Sequence, residues 1–111
     1  MKLSYVQLGG EKHPVCFSLS AIEAIEDEFG SLDKMRDDLS SGSIRAINSV
    51  LEIMLDAGRA YCDGMGMDCP PKLKCRPADL IDATDTDVVH DIFAVISGDS
   101  ERSVEVRSKN A

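Results

Sequence analysis

The amino-acid sequence predicts a mainly α protein of the α+β class, with an N-terminal β-hairpin followed by a small bundle of about five helices. Three observations lead there. Leu3 and Tyr5 fall on one side of an extended chain and Val6 and Leu8 on the other, and Val15 and Phe17 resume the alternation after Gly9-Gly10-Glu11-Lys12-His13, as in two half-buried strands joined by a turn. Beyond residue 20 most apolar residues recur at helical spacing, in stripes over 21–29, 44–62 and 88–96. Ser or Thr stands before these stripes, at Ser20, Ser43 and Thr84, and Gly30 and Gly98 stand after the first and last.

Taken in order, the hairpin comes first. Pro14 lacks a backbone N–H, so it belongs at a strand start or on an edge, which predicts a small, peripheral hairpin with His13 in its solvated turn. A two-stranded ribbon is marginal alone, and the helix after Ser20 is the nearest element to cover it. That helix is predicted over 20–29, opened by a capping box of Ser20 and Glu23 and stopped at Gly30. Ala21, Ile22, Ile25, Phe29 and Leu32 share an arc of about 100°, the face that packs inward. Ser31 restarts a shorter helix carrying Leu32, Met35 and Leu39, ended by Ser40-Ser41-Gly42.

Ser43 caps a long helix predicted over 44–62, with Arg45, Asn48, Ser49, Glu52, Asp56, Arg59 and Asp63 gathered on one side. The remaining, apolar positions, Ile53 and Met54 among them, cover roughly 220° of the circumference, more than a surface helix needs. Two readings follow: a central strut touched on several sides, or an apolar arc partly kept for another chain. Ile53 lies on a lightly furnished strip with Ala46, Ala57 and Ala60, whereas Met54 lies in the main stripe with Ile47 and Leu51. Residues 64–76 then change to Gly, Met, Cys, Pro and Lys and read as a loop. Its Met65 and Met67 are either core filler or an adaptable contact surface.

Pro77 suits the first position of a short helix over 77–83 that turns Leu80 and Ile81 inward. Thr84 with Asp87, or Asp85 and Thr86, cap a last helix whose Val88, Val89, Ile92, Phe93, Val95 and Ile96 share one broad face, ended by Gly98. Residues 99–111 are polar apart from Val104 and Val106. The domain is therefore expected over 1–98, with a flexible tail over 99–111.

Composition narrows the function classes. A chain of 111 residues makes one domain that can bury roughly 65 % of its unfolded surface. A net charge of −8, with Lys72, Lys74 and Arg76 as the densest cations, argues against a nucleic-acid partner. No apolar run approaches the roughly 18 residues that cross a bilayer, and no charged-then-apolar leader follows Met1, so no membrane partner and a cytoplasmic location are expected. Cys16, Cys62, Cys69 and Cys75 are then thiols. The spacing of the last three is wider than that of zinc knuckles, so no metal and no cofactor is expected. His90 falls on the polar side of the last helix, and a Cys16–His13 couple has no third group to orient it. Asp82, Asp85, Asp87 and Asp91 lack the alternation of a calcium loop, and neither Gly9-Gly10 nor Gly64-x-Gly66 is set as a phosphate loop. No enzyme is expected.

The run Val6-Gln7-Leu8-Gly9-Gly10 with Val15 and Phe17, then Ser20-Ala21-Ile22, Ile25-Glu26 and Phe29-Gly30-Ser31-Leu32, resembles the opening of the tail assembly chaperones of long-tailed bacteriophages, prophages and gene-transfer particles. Pro77-Ala78-Asp79-Leu80-Ile81 and the stretch from Val88-Val89 to Ile96 and Gly98 are similar to that family's two closing helices. The likeness spans residues 3–98, and the cysteine-bearing segment 64–76 departs from it. It implies a non-enzymatic protein of the bacterial host cytoplasm that binds the long, apolar, helical tape measure protein and keeps it soluble during tail assembly. Ile53, Met54, Met65, Met67 and Phe93 are the candidate partner-binding residues. A structural minor tail or connector component is a second reading, and a small thiol or zinc module using Cys62, Cys69 and Cys75 a third. A homo-oligomer is also open.

Replacing all four cysteines by Ser or Ala is expected to preserve helical content and partner binding, at a cost of about 1 kcal/mol at a buried site such as Cys16. Circular dichroism with metal analysis checks this. Loss of a bound metal together with the helical signal would instead establish a structural zinc site.

Overall fold

Two antiparallel strands, β1 (Ser4–Leu8) and β2 (Glu11–Val15), are followed by four α-helices: α1 (Leu19–Phe29), α2 (Leu32–Ser40), α3 (Ile44–Met65) and α4 (Val88–Ser97). A 3-10 segment at Pro77–Leu80 lies between the last two helices. The computed structural model describes residues 3–97; the helix end expected at Gly98 and the tail expected over 99–111 lie outside the described residues. The hairpin-then-helices order is the predicted one, with four α-helices in place of about five. The expected helix over 77–83 stops after one 3-10 stretch because Ile81 turns extended (φ −110°, ψ 127°). Next to it the Asp82 carboxylate accepts from both the Thr84 N–H (2.9 Å) and its hydroxyl (2.8 Å), a local turn that competes with helix. Thr84 is thus tied to Asp82, and α4 opens instead with the Asp91 N–H donating to the Asp87 carbonyl at 2.9 Å.

The hairpin turn is tighter than expected. Gly9 (φ 60°) and Gly10 (φ 84°) both take positive φ, the requirement of a type I′ turn, and Leu8 pairs directly with Glu11. The register continues as Val6 with His13 and Ser4 with Val15. His13 therefore sits in a strand rather than a solvated turn, at 5 % exposure.

The covering element also differs from the expectation: β2 packs on α3, not on α1. Gly58 makes this possible. A Cβ there would overlap the Pro14 carbonyl and come within 2.8 Å of Val15 Cα, so strand and helix backbones meet where there is no side chain. One turn earlier on α3, the Met54 carbonyl accepts from the Cys16 N–H at 3.4 Å. The hairpin is consequently central, contributing Leu8 and Val15 to the main core beside Ile25, Met35, Leu39 and Leu51, while α4 contributes Ile92 and Ile96. A smaller cluster of Leu3, Cys16 and Cys62 lies at the C-terminal end of α3, with Ala57, Tyr61 and Cys69 against it.

Helix ends follow the cap residues, with two corrections. Ser18, not Ser20, caps α1, its hydroxyl accepting from the Ala21 N–H at 3.2 Å, because the helix begins one residue earlier, at the exposed Leu19. Ser31 and Ser43 cap α2 and α3 as expected, accepting from Lys34 and Ala46 at 3.0 and 3.1 Å. α3 runs past the expected stop, keeping Gly64 and Met65 helical, and ends at Gly66 in the left-handed region (φ 69°).

Gly58→Ala is expected to destabilise the protein by about 2 kcal/mol, overpacking of about 3 kcal/mol exceeding a gain in helix propensity of about 1 kcal/mol. Urea unfolding of the two proteins measures it.

Candidate functional site

Two concavities flank the hairpin. The first is an apolar groove of about 270 Å³ between β1 and α4. All five residues of β1 line it, which a strand's alternation permits where a groove follows the strand's edge rather than one face. That edge has no strand partner among the described residues, since the sheet consists of β1 and β2 alone. Val88, Ile92 and Val95, at helical spacing, form the α4 wall, Leu51 and Met54 of α3 contribute from the core, and Asp85 and Asp91 are the acidic residues among its lining.

The second, also of about 270 Å³, lies between β2, α3 and residues 72–77. Its lining is mixed: Glu52, Asp56 and Arg59 on α3 with Lys72 from the connecting segment, and His13 and Pro14 from β2. His13 Nε2 is buried without a hydrogen-bond partner; the nearest carboxylate oxygen, on Glu11, is 3.9 Å away, beyond hydrogen-bonding distance. Asn48 anchors the far end of the connecting segment. It is 7 % exposed, and its Oδ1 accepts from the Ala78 N–H at 2.8 Å. Cys75 lines this cleft with His13, whereas Cys16 does not.

The structure separates the five candidate partner-binding residues. Met54, 1 % exposed, contributes to the groove from the core. Ile53 and Phe93 are half-buried and pack against the main core. Met65 and Met67 stand on either side of Gly66 at 62 % and 42 % exposure, and neither lines the groove. The cysteines regroup as well. Cys69 joins Cys16 and Cys62, while Cys75 is exposed, so the set Cys62, Cys69 and Cys75 does not assemble. Among the described residues no group of three His, Cys, Asp or Glu is arranged to hold a metal ion.

Sequence reasoning missed Gly58, Asn48 and the groove walls. An isolated glycine inside a helical stripe signals a close backbone approach, so Gly58 carried a readable mark. Asn48 fell on the polar side of its helix, and only a segment thirty positions away buries it. Periodicity puts Val88 and Val95 on the packing face of α4, and their position beside β1 is a matter of tertiary placement.

Comparison with protein-family models gives no match, and no curated protein or solved structure is significantly similar to the chain.

Burial raises the thiol pKa of Cys16 above the ordinary 9.0, against the lowering effect of its hydrogen bond with Ser18. Burial also raises that of Cys62, reinforced by the neighbouring Cys69. Both thiols hold their protons more tightly in the folded chain. Their contribution is fully present below pH 9.0 and is lost as pH rises through the higher folded values. Thermal melts from pH 7 to pH 10.5 are expected to show stability falling above about pH 9, and less steeply after Cys16 and Cys62 are both replaced by Ala.

Proposed function

We propose that this chain is a tail assembly chaperone of a long-tailed phage, prophage or gene-transfer particle, acting in the bacterial host cytoplasm. In this reading it binds the tape measure protein and keeps it soluble while the tail is built. The observation that carries the reading is the apolar groove between β1 and α4, formed by the two regions of the chain, the N-terminal hairpin and the closing helix, in which the sequence resembles that family. Apolar side chains of a long amphipathic client can be buried there at roughly 25 cal/mol per Å², a gain reduced by ordering and association costs. Weak binding repeated along a long client suffices for solubility. The acidic surface, with a net charge of −8, keeps the loaded chaperone dispersed. Met65 and Met67, exposed at the end of α3, supply a second, adaptable apolar contact.

In this reading the client is a tape measure protein, supplied for the test as a separate chain. Co-expression is expected to raise its soluble fraction. Tyr5→Glu, at a groove position 44 % exposed in the free protein, is expected to abolish the effect while leaving the melting temperature within a few degrees of the parent. Replacing Met65 and Met67 together by Ser is expected to weaken it less. A client that stays soluble with Tyr5→Glu would exclude the groove, and one that gains no solubility from the parent chain would exclude the chaperone reading.

A further inference from the structure

The turn that ends α3 brings the chain back onto the helix it has just left. Met67 N–H donates to the Cys62 carbonyl at 2.8 Å and Gly66 N–H to that of Asp63 at 3.3 Å, the paired bonds of a Schellman motif. Arg59, one turn before Cys62, clamps the returning segment: its Nη1 donates to the Pro70 carbonyl at 2.7 Å and to Cys69 Sγ at 3.6 Å. Cys69, half-buried, is thereby held against the cluster of Leu3, Cys16 and Cys62. Cys62 itself is 1 % exposed. The Cys62 thiol has the Cys69 side chain as its hydrogen-bond partner, whereas that of Cys16 has Ser18, which pairs Cys69 with Cys62. A solvent-reachable thiol beside a guanidinium, backed by a second and shielded thiol, has the layout of a reversible oxidation site.

We propose that Cys62 and Cys69 form a reversible disulfide in response to hydrogen peroxide, with Cys69 attacked first and Cys62 resolving. The Cys69 sulfur gives an electron pair to one peroxide oxygen. The O–O bond breaks, and the departing hydroxide takes the thiol proton and leaves as water, so that Cys69 becomes a sulfenic acid. The Arg59 N–H, donating to Cys69 Sγ, holds that sulfur in place for the step. The Cys62 sulfur then attacks the Cys69 sulfur; the S–O bond breaks, and the hydroxyl leaves with the Cys62 proton as a second water. Two thiols are oxidised by two electrons and one peroxide is reduced to two waters. The bridge encloses residues 63–68 and staples the turn that presents Met65 and Met67.

The test uses the full chain carrying Cys75→Ser, which removes the exposed thiol, treated under native conditions with hydrogen peroxide at near-stoichiometric dose. Trypsin cuts after Arg59 and Lys72, so both cysteines lie in peptide 60–72. Non-reducing mass analysis is expected to find that peptide lighter by two hydrogens, restored by dithiothreitol, with Cys16 still alkylatable after unfolding. Adding Cys62→Ser is expected to leave Cys69 as the sulfenic acid, trapped there by dimedone, whereas adding Cys69→Ser leaves Cys62 reduced at the same dose. Oxygen assigned by fragment ions to Cys69 of the parent rather than to Met65 or Met67, or a link from Cys62 to Cys16, would overturn the proposal.

Discussion

Where Pro14 lies on Gly58, the backbone of β2 touches the backbone of α3, and much of the fold is arranged around that contact. Met54, Gly58 and Cys62 are successive positions of one row on the helix, spaced four residues apart, and the end of β2 with Cys16 packs on it. The row supplies a carbonyl acceptor for Cys16 at Met54, a gap for Pro14 at Gly58, and a sulfur neighbour for Cys16 at Cys62. Because the strand lies so close, Leu8 and Val15 enter the main core and His13 is carried into burial without a partner for Nε2. An unpaired buried imidazole nitrogen costs stability. Here it is a consequence of how deeply β2 is seated.

The wide apolar arc of α3 is explained by the same arrangement. The helix meets β2, α1, α2 and the Pro77–Leu80 segment, so positions that exceed the needs of a surface helix are used within the fold. Ile53, on the lightly furnished strip, packs half-buried against the core. Of the two readings the arc allowed, the central strut accounts for most of it. Apolar surface is left elsewhere: along the edge of β1 facing α4, and at the α3 terminus where Met65 and Met67 protrude. These two places differ in chemistry, since the groove is lined largely by apolar side chains while the helix terminus gathers three sulfurs, one of them bonded to Arg59.

Asn48 and Arg59 hold the connection between α3 and α4 to the long helix, alongside the Pro77–Leu80 segment that packs on it. Asn48 accepts from Ala78 and Arg59 donates to Pro70, each satisfying a backbone group that a long connection would otherwise leave to water. Polar residues on the hydrophilic side of α3 thereby act as tethers for a segment that has few apolar side chains with which to fix itself.

Local chemistry was legible in the chain itself. Alternation around Gly9-Gly10 specified a hairpin, Ser31 and Ser43 marked helix starts, Gly30 marked a stop, and the stripes over 21–29, 44–62 and 88–96 specified helices, because each signal depends on neighbours within a few residues. Where two local signals competed, the sequence misled: Ser20 with Glu23 looked like a capping box, but Ser18 takes the cap. Glu11 to His13 looked like turn, but two glycines suffice to reverse the chain. Which helix covers the hairpin, that Asn48 is buried, that Cys69 returns to Cys62, and that a groove opens beside β1 were decided only in three dimensions. Each depends on residues far apart in sequence meeting in space, and neither periodicity nor spacing carries that information.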